Sequence, residues 1–312
     1  MENHTFEVGP DEKSARLDQY LASVFPKPVS RSHLKRLIDA GHILVNGRLA
    51  KPHHKVKPGE KIEVSLEEPV SSKPEAEDIA LNVLYEDDDI MVINKQPGIA
   101  VHPGAGTQSG TIVNALLNHC RKLSDVDAAR PGIVHRLDKD TSGVMVVAKN
   151  NASHRELARQ FKDHTVKKNY LALVKGVVEL DNGTVDLPVG RHQSNRQKMA
   201  VRYDSERKAV TEYKVIKRFD GFTLVMLNLK TGRTHQIRVH MAYIGHPVLG
   251  DEKYGSRDRP VLKGGTGLSR QALHSYYLKL RHPTSGKEME FTADLPDDMK
   301  AIIGESLGEI FP

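Results

Sequence analysis

Between Glu67 and Asp78 the chain reads EEPVSSKPEAED, a run of acids, serines and prolines without apolar periodicity. Such a segment has nothing to bury and reads as a linker. The 312 residues are therefore expected to fold as two units, a small one at 14–66 and a large one at 81–312, joined by a linker at 67–80. The two differ in charge. Between Arg16 and Lys61, ten Lys or Arg face three Asp or Glu, a window of +7 in a chain of formal net charge +6. The basic character belongs to the small unit, whose field would attract a polyanion.

The local pattern of that unit is readable. Leu17, Tyr20, Leu21 and Val24 recur at helical spacing over residues 16–24, Pro26 and Pro28 break the chain, and Ser30 stands as N-cap of a second helix with the apolar stripe Leu34, Leu37 and Ile38. Arg31 and Lys35 lie beside that stripe and Gly41 ends the helix. Ile43 to Arg48 reads as a strand entering a type I′ turn at Asn46-Gly47, because both residues tolerate positive φ. This order, in SRSHLKRLIDAGHILVNGRLAKPHHKVKPGEKI, resembles the S-four-like (alpha-L) RNA-binding module, and the resemblance implies binding of structured RNA through the second helix and the hairpin.

From Leu81 onward, β-branched runs such as Ile90 to Asn94, Gly143 to Ala148, Tyr170 to Val174 and Phe222 to Leu227 alternate with turn residues, and helices are expected only at 111–119, 153–162 (Ser153 as cap) and 236–244. Strand-rich runs without regular βαβ alternation predict an α+β domain around a largely antiparallel mixed sheet. No long uncharged apolar run is present, which excludes a membrane-spanning helix. The start Met-Glu-Asn-His lacks the order of a secretory signal, so a cytoplasmic protein is expected. The single cysteine, Cys120, excludes internal disulfides and cysteine-rich zinc sites and reads as apolar filler near a helix end.

Several motifs fail on inspection. Asp138, Asp140, Ser142 and Gly143 imitate a calcium loop, yet position twelve is Lys149 instead of glutamate. The glycines after His102 are not followed by Gly-Lys-Ser/Thr, and no Gly-x-Ser-x-Gly elbow occurs. His235 and His240, five residues apart, lack a metal-binding pattern and read as packing or hydrogen-bonding residues. What remains is the polar cluster His135-Arg136-Leu137-Asp138-Lys139-Asp140-Thr141-Ser142-Gly143 directly before an apolar strand, a loop at a strand end where chemistry is commonly placed.

The string HRLDKDTSGVMVVAK, followed in order by KKNYLALVKG, KTGRTHQIRVHMAYIGHPVLGDEKYG and LHSYYLKLRHPTSGKEMEF, resembles the RluA/RluD family of pseudouridine synthases across most of residues 81–295. The resemblance implies a pseudouridine synthase fold and isomerisation of uridine in large-subunit ribosomal RNA, by a monomer needing no cofactor or metal. It implies Asp138 as the essential carboxylate, acting as nucleophile or as base on the sugar. Tyr170 would stack on the uracil and take or relay the carbon-five proton, and Arg233 would pair with the carboxylate. Arg136 would fill the space of the flipped nucleotide or contact a phosphate. Further RNA contacts are expected at His135 and Gln236, at Arg31, Lys35 and Arg36 on the small unit, and at Arg191, Arg196 and Lys198, where residues 191–208 read as a basic hairpin that grips RNA in preference to a solvated loop. Transfer RNA is the competing substrate and a non-catalytic ribosome-assembly factor the competing class; binding alone would not need a carboxylate in the pocket.

Overall fold

A computed structural model describes residues 2–12, 14–25, 31–66, 74–104, 107–195, 197–205, 207–255 and 268–304, apart from the side chains of Glu2, Ser32, His33, Arg36 and Leu66. The chain divides into two compact units, Met1–Ser72 and Lys73–Pro312.

The first unit runs β1 (Glu2–Glu7), α1 (Leu17–Val24), α2 (Arg31–Asp39), β2 (Ile43–Val45), β3 (Arg48–Leu49) and β4 (Lys61–Leu66), with the antiparallel strand order β1-β4-β2-β3. Leu17, Tyr20 and Leu21 of α1 and Leu34, Leu37 and Ile38 of α2 bury against Ile43, Val45, Ile62 and Val64 of the sheet. Asn46 and Gly47 take φ of 50° and 72° and close the expected hairpin turn. Strand β1 was not anticipated. Its signal is the strict alternation from Asn3 to Val8, in which His4, Phe6 and Val8 turn inward and Asn3, Thr5 and Glu7 outward. The proposed Ser30 cap lies outside the described residues.

The second unit comprises β5 (Val83–Glu86), β6 (Ile90–Lys95), α3 (Ile112–His119), β7 (Ser142–Ala148), α4 (Asn151–Lys162), β8 (Lys167–Lys175), β9 (Asn182–Asp186), β10 (Val189–Arg191), β11 (Met199–Val201), β12 (Val210–Phe219), β13 (Phe222–Leu229), α5 (Gln236–Tyr243), β14 (Leu273–Arg281), β15 (Glu288–Thr292) and α6 (Asp297–Ile303). Its nine-stranded sheet has the order β5-β6-β7-β14-β8-β13-β12-β9, with β15 beside β14. The β7 and β14 pair is parallel and the other pairs described are antiparallel, so the fold is α+β around a mixed, mostly antiparallel sheet. Met91, Ile93, Met145 and Val147 enter one apolar cluster, while Ile90, Val92, Val144 and Val146 enter another with Leu157 of α4. Strands covered on both faces read as unbroken apolar runs. Each such aliphatic side chain contributes about 1.5–3 kcal/mol relative to exposure.

Helix α3 starts one residue later than expected, with Thr111 as its cap and not its first residue, and Cys120 lies buried at its C-terminal end. Helix α4 starts two residues earlier than the sequence suggests: Asn150 is its cap, accepting the Ser153 N–H at 2.9 Å, so Ser153 lies inside the first turn. Part of the expected linker is also structured. The Glu75 carbonyl accepts from Asn114 Nδ2 at 2.7 Å, and the Glu77 carboxylate from the Gly110 N–H at 3.0 Å, which ties this stretch to α3 and the turn before it.

Candidate active site

The site starts at the junction of β7 and β14. Gly143 has φ +112°, and a Cβ placed there would lie 2.2 Å from the Ser275 carbonyl oxygen. Only glycine lets the two strands run side by side with Ser275 opposite Gly143. The loop feeding β7 is pinned on both sides of Asp138. Lys95, 1% exposed, donates from Nζ to the carbonyls of Gln96, Ile99 and Lys139 at 2.8–2.9 Å. Arg270 Nη1 donates to the Asp140 carbonyl at 3.0 Å. Burial pulls the Lys95 ammonium down to about 7; its three carbonyl acceptors suit a short tether better than a counter-ion.

The held loop borders a cavity of about 490 Å³ lined by Arg136, Asp138, Tyr170, Arg233, His235 and Arg238 among others. Arg238, on α5, donates from Nη1 to Asp138 Oδ2 at 2.8 Å while its Nε and Nη2 form a fork on Asp251 at 2.7 and 2.9 Å. Burial opposes the Arg238 charge, but the hydrogen bonds and fields of the two carboxylates outweigh it and raise its pKa further. Asp138 thus faces a fixed cation whose position is set by a second carboxylate. His235 Nε2 also approaches Oδ2, at 3.8 Å, and among the described residues no hydrogen bond is made to Oδ1.

Tyr170 comes from β8, buried, opposite Leu227 and Ser275. Burial pushes its phenol up to about 12, the Asp138 charge adding in the same direction and a Ser275 hydrogen bond opposing. At neutral pH it keeps its proton.

The structure brings Asp138, Tyr170 and Arg136 to one cavity and corrects other assignments. Arg233 lines the rim but does not pair with Asp138. It precedes α5, its N–H is held by Gln236 Oε1 at 3.0 Å, and its Nε donates to the Lys208 carbonyl at 3.1 Å. The carboxylate partner is Arg238, inside the helix. Gln236 is not placed for an RNA contact. It is 2% exposed, its Oε1 accepts from Thr231 and Arg233, and its Nε2 donates to the Val210 carbonyl and Thr211 Oγ1, which fills its amide inventory. His135 likewise serves the scaffold: its ring stacks on Phe161 at 4.5 Å and Nε2 accepts the Val146 N–H at 3.0 Å. Burial, helped by Lys168, pulls it down to about 3, so it is neutral. His240 turns both nitrogens to internal partners, Thr211 Oγ1 and the Leu187 carbonyl. Exposed Arg136 donates to His102 Nε2 at 3.2 Å.

Of the remaining RNA candidates, Arg31 and Lys35 are exposed on α2, Arg31 reaching Asp18 at 3.2 Å. Arg191 ends β10 and Lys198 precedes β11, and the pair they flank, Val189–Arg191 with Met199–Val201, takes up only part of the 191–208 stretch expected as a hairpin. Arg196 and the side chain of Arg36 lie outside the described residues. Arg238, Asp251 and Tyr254 were missed, while His235, read from the sequence as a packing or hydrogen-bonding residue, does bond Tyr254. The signal was Arg238 set between Ile237 and Val239 in a buried helix, since a buried arginine demands an acid. Among the described residues one group has metal-like spacing, Asp87, Asp89 and His282. Asp87 there accepts from the Asp89 and Ile90 N–H groups, Tyr85 and His282, while His282 Nδ1 accepts from the Thr284 and Ser285 N–H groups, so the cluster staples turns.

A buried arginine aiming a loop carboxylate into a polar cavity on a mixed sheet, in a chain that also carries a separate basic unit, fits an enzyme of α+β build that acts on a polyanion. Residues 89–243 match the model of the family described as RNA pseudouridylate synthase, and residues 15–62 match the S4 domain. The chain belongs to the RNA pseudouridylate synthase family and is an isomerase. It is 45% identical over 294 residues to an uncharacterised RNA pseudouridine synthase of Bacillus subtilis, covering 94% of each chain. It is 45% identical to ribosomal large subunit pseudouridine synthase D of Haemophilus influenzae, covering 95% of this chain and 93% of that one. Human RNA pseudouridylate synthase domain containing 1 superposes with a TM-score of 0.57 at 28% identity, covering 70% of this chain and 84% of the other.

Proposed function

We propose that this chain converts uridine to pseudouridine in large-subunit ribosomal RNA, acting as a monomer in the cytoplasm, with Asp138 as the reacting carboxylate and Tyr170 as its partner on the base. The observation that carries the residue roles is the ion pair of Asp138 with an arginine clamped by Asp251, in a cavity that also holds a buried tyrosine. Relatives named for the large ribosomal subunit align with both units of the chain, which favours the same class of RNA here. Among the described residues, no helix is long and apolar enough to cross a membrane.

The reaction detaches uracil from the ribose, turns it within the pocket and rejoins it through carbon five. The same atoms leave and return, so no external oxidant, reductant or energy source is required. The target nucleotide must first leave its stack, and exposed Arg136 stands at the rim to fill or hold that space. Arg238 occupies Oδ2 of Asp138, which leaves Oδ1 to act on the ribose. Tyr170, keeping its proton at neutral pH, stacks on the uracil and relays the carbon-five proton by giving up its own phenolic proton as it takes the new one, the net transfer ending on the ring nitrogen freed from the ribose; a free phenolate would be costly in this buried setting. Arg31 and Lys35 on the first unit and Arg191 and Lys198 on the hairpin supply phosphate contacts.

The test incubates the purified protein with unmodified large-subunit ribosomal RNA and, separately, transfer RNA, and maps pseudouridine by carbodiimide labelling and primer extension. Sites in ribosomal RNA alone are expected; sites in transfer RNA alone would overturn the substrate. Asp138→Asn should abolish isomerisation with RNA binding retained, and an active Asp138→Asn enzyme would overturn the assignment of the carboxylate.

A further inference from the structure

His235 is held by more of the fold than a rim residue needs. It precedes α5 with φ +56°, a left-handed conformation that side chains other than glycine seldom adopt. Its ring stands edge-on to Tyr254, centroids 5.6 Å apart at 73°, with Nδ1 2.7 Å from the Tyr254 hydroxyl. That hydroxyl accepts the main-chain N–H of Met199, the first residue of β11, at 2.8 Å. A phenol carries one hydrogen, and with the Met199 N–H on one oxygen lone pair that hydrogen has His235 Nδ1 as its partner within reach at 2.7 Å. In that arrangement Nδ1 is the acceptor and the ring proton falls on Nε2, the nitrogen 3.8 Å from Asp138 Oδ2. The same tyrosine ring lies 5.1 Å from the Arg238 guanidinium carbon, so one side chain backs both groups that face the carboxylate.

We infer that His235 is a positioning residue for Asp138, locked by Tyr254 in the tautomer that directs an N–H at the carboxylate. The inference rests on Asp138 being the reacting carboxylate. A separation of 3.8 Å exceeds a hydrogen bond, and such contacts tighten when substrate closes the site. Asp138, Asp251, Arg238, Lys253 and Tyr254 are the ionisable groups around the ring, and burial, the largest influence, holds it neutral. A neutral imidazole with a fixed tautomer orients the carboxylate without competing with Arg238 for its charge.

The resting full-length protein, labelled with 15N-histidine, tests this directly: nitrogen-proton correlation spectra should show His235 protonated on Nε2 and bare on Nδ1 at neutral pH. Protonation on Nδ1 alone, or on both nitrogens, would overturn it. Tyr254→Phe should release the lock and give a mixture of tautomers; an unchanged spectrum counts against it. In single-turnover isomerisation, His235→Leu should be slower by about 10- to 100-fold at unchanged RNA affinity, whereas His235→Gln, which keeps an N–H at similar reach, should stay within about threefold of the parent. A fully active His235→Leu enzyme, or a glutamine variant no better than leucine, would overturn the role. The spectrum needs no turnover, so its failure is separable from failure of the Asp138 assignment, which an active Asp138→Asn enzyme would sink.

Discussion

Arg238 divides one guanidinium between two carboxylates, and the geometry leaves no room for a simpler cation. Asp251 takes two of its N–H groups and Asp138 a third, while the Asp251 side chain is fully buried. Lysine keeps the charge but cannot form the fork. Arg238→Lys should therefore lower single-turnover isomerisation by about a hundredfold, because a misaimed carboxylate loses most of its advantage, with RNA affinity measured by filter binding unchanged. Arg238→Ala should in addition cost about 3–5 kcal/mol in urea denaturation, because it strands a buried charge. The motifs that contain Asp138 and Tyr170 pointed to both, and the two line one cavity. The arginine was not legible: Arg233 and Arg238 stand five residues apart in one string, and which of them meets the carboxylate depends on where α5 starts and on where Asp251 arrives from a later loop.

At the scale of elements, turns and strand junctions hold the active loop. Gly143 brings β14 against β7, and Lys95 bridges the two loops beside Asp138. A second junction sits at the far end of the sheet, where Asp87 closes the turn between β5 and β6 and accepts from His282, beyond β14. Burial there raises the Asp87 carboxyl, but hydrogen bonds from Tyr85, Ile90, Asp89 and His282 overcome it and hold it at about 2, against 3.8 ordinarily. A folded-state pKa below the unfolded one stabilises the fold above the unfolded value and is lost as pH falls through the folded value. Asp87 thus contributes about 2 kcal/mol near neutrality, fading between about pH 4 and pH 2. Asp87→Asn should lower stability by a similar amount at pH 7, and the gap to the parent should close in acid; thermal denaturation across that range checks it. The expected elements were largely found because apolar periodicity and caps are local. The start of α4 was misplaced by two residues because Ser153 and Asn150 are both competent caps, and position relative to Asp89, which accepts from both side chains, decides between them.

At the scale of the molecule, each unit has its own apolar core, one of residues 8–64 and others within the second unit. Removal of residues 1–66 should leave the second unit folded, with a cooperative thermal transition, while RNA affinity falls and its dependence on salt becomes shallower, because phosphate contacts on Arg31 and Lys35 are lost. A truncated protein without cooperative unfolding would contradict this. The two-part division, the basic first unit, the Asn46-Gly47 turn and the α+β character follow from the sequence alone, because charge, turn chemistry and apolar period are properties of neighbouring residues. The Asp138, Arg238 and Asp251 bridge, the His235 and Tyr254 contact, and the withdrawal of Gln236 and His135 into the scaffold were decided only in three dimensions. Each depends on groups from distant segments meeting in a buried space, where every donor must find an acceptor and the partner is chosen by position in the fold.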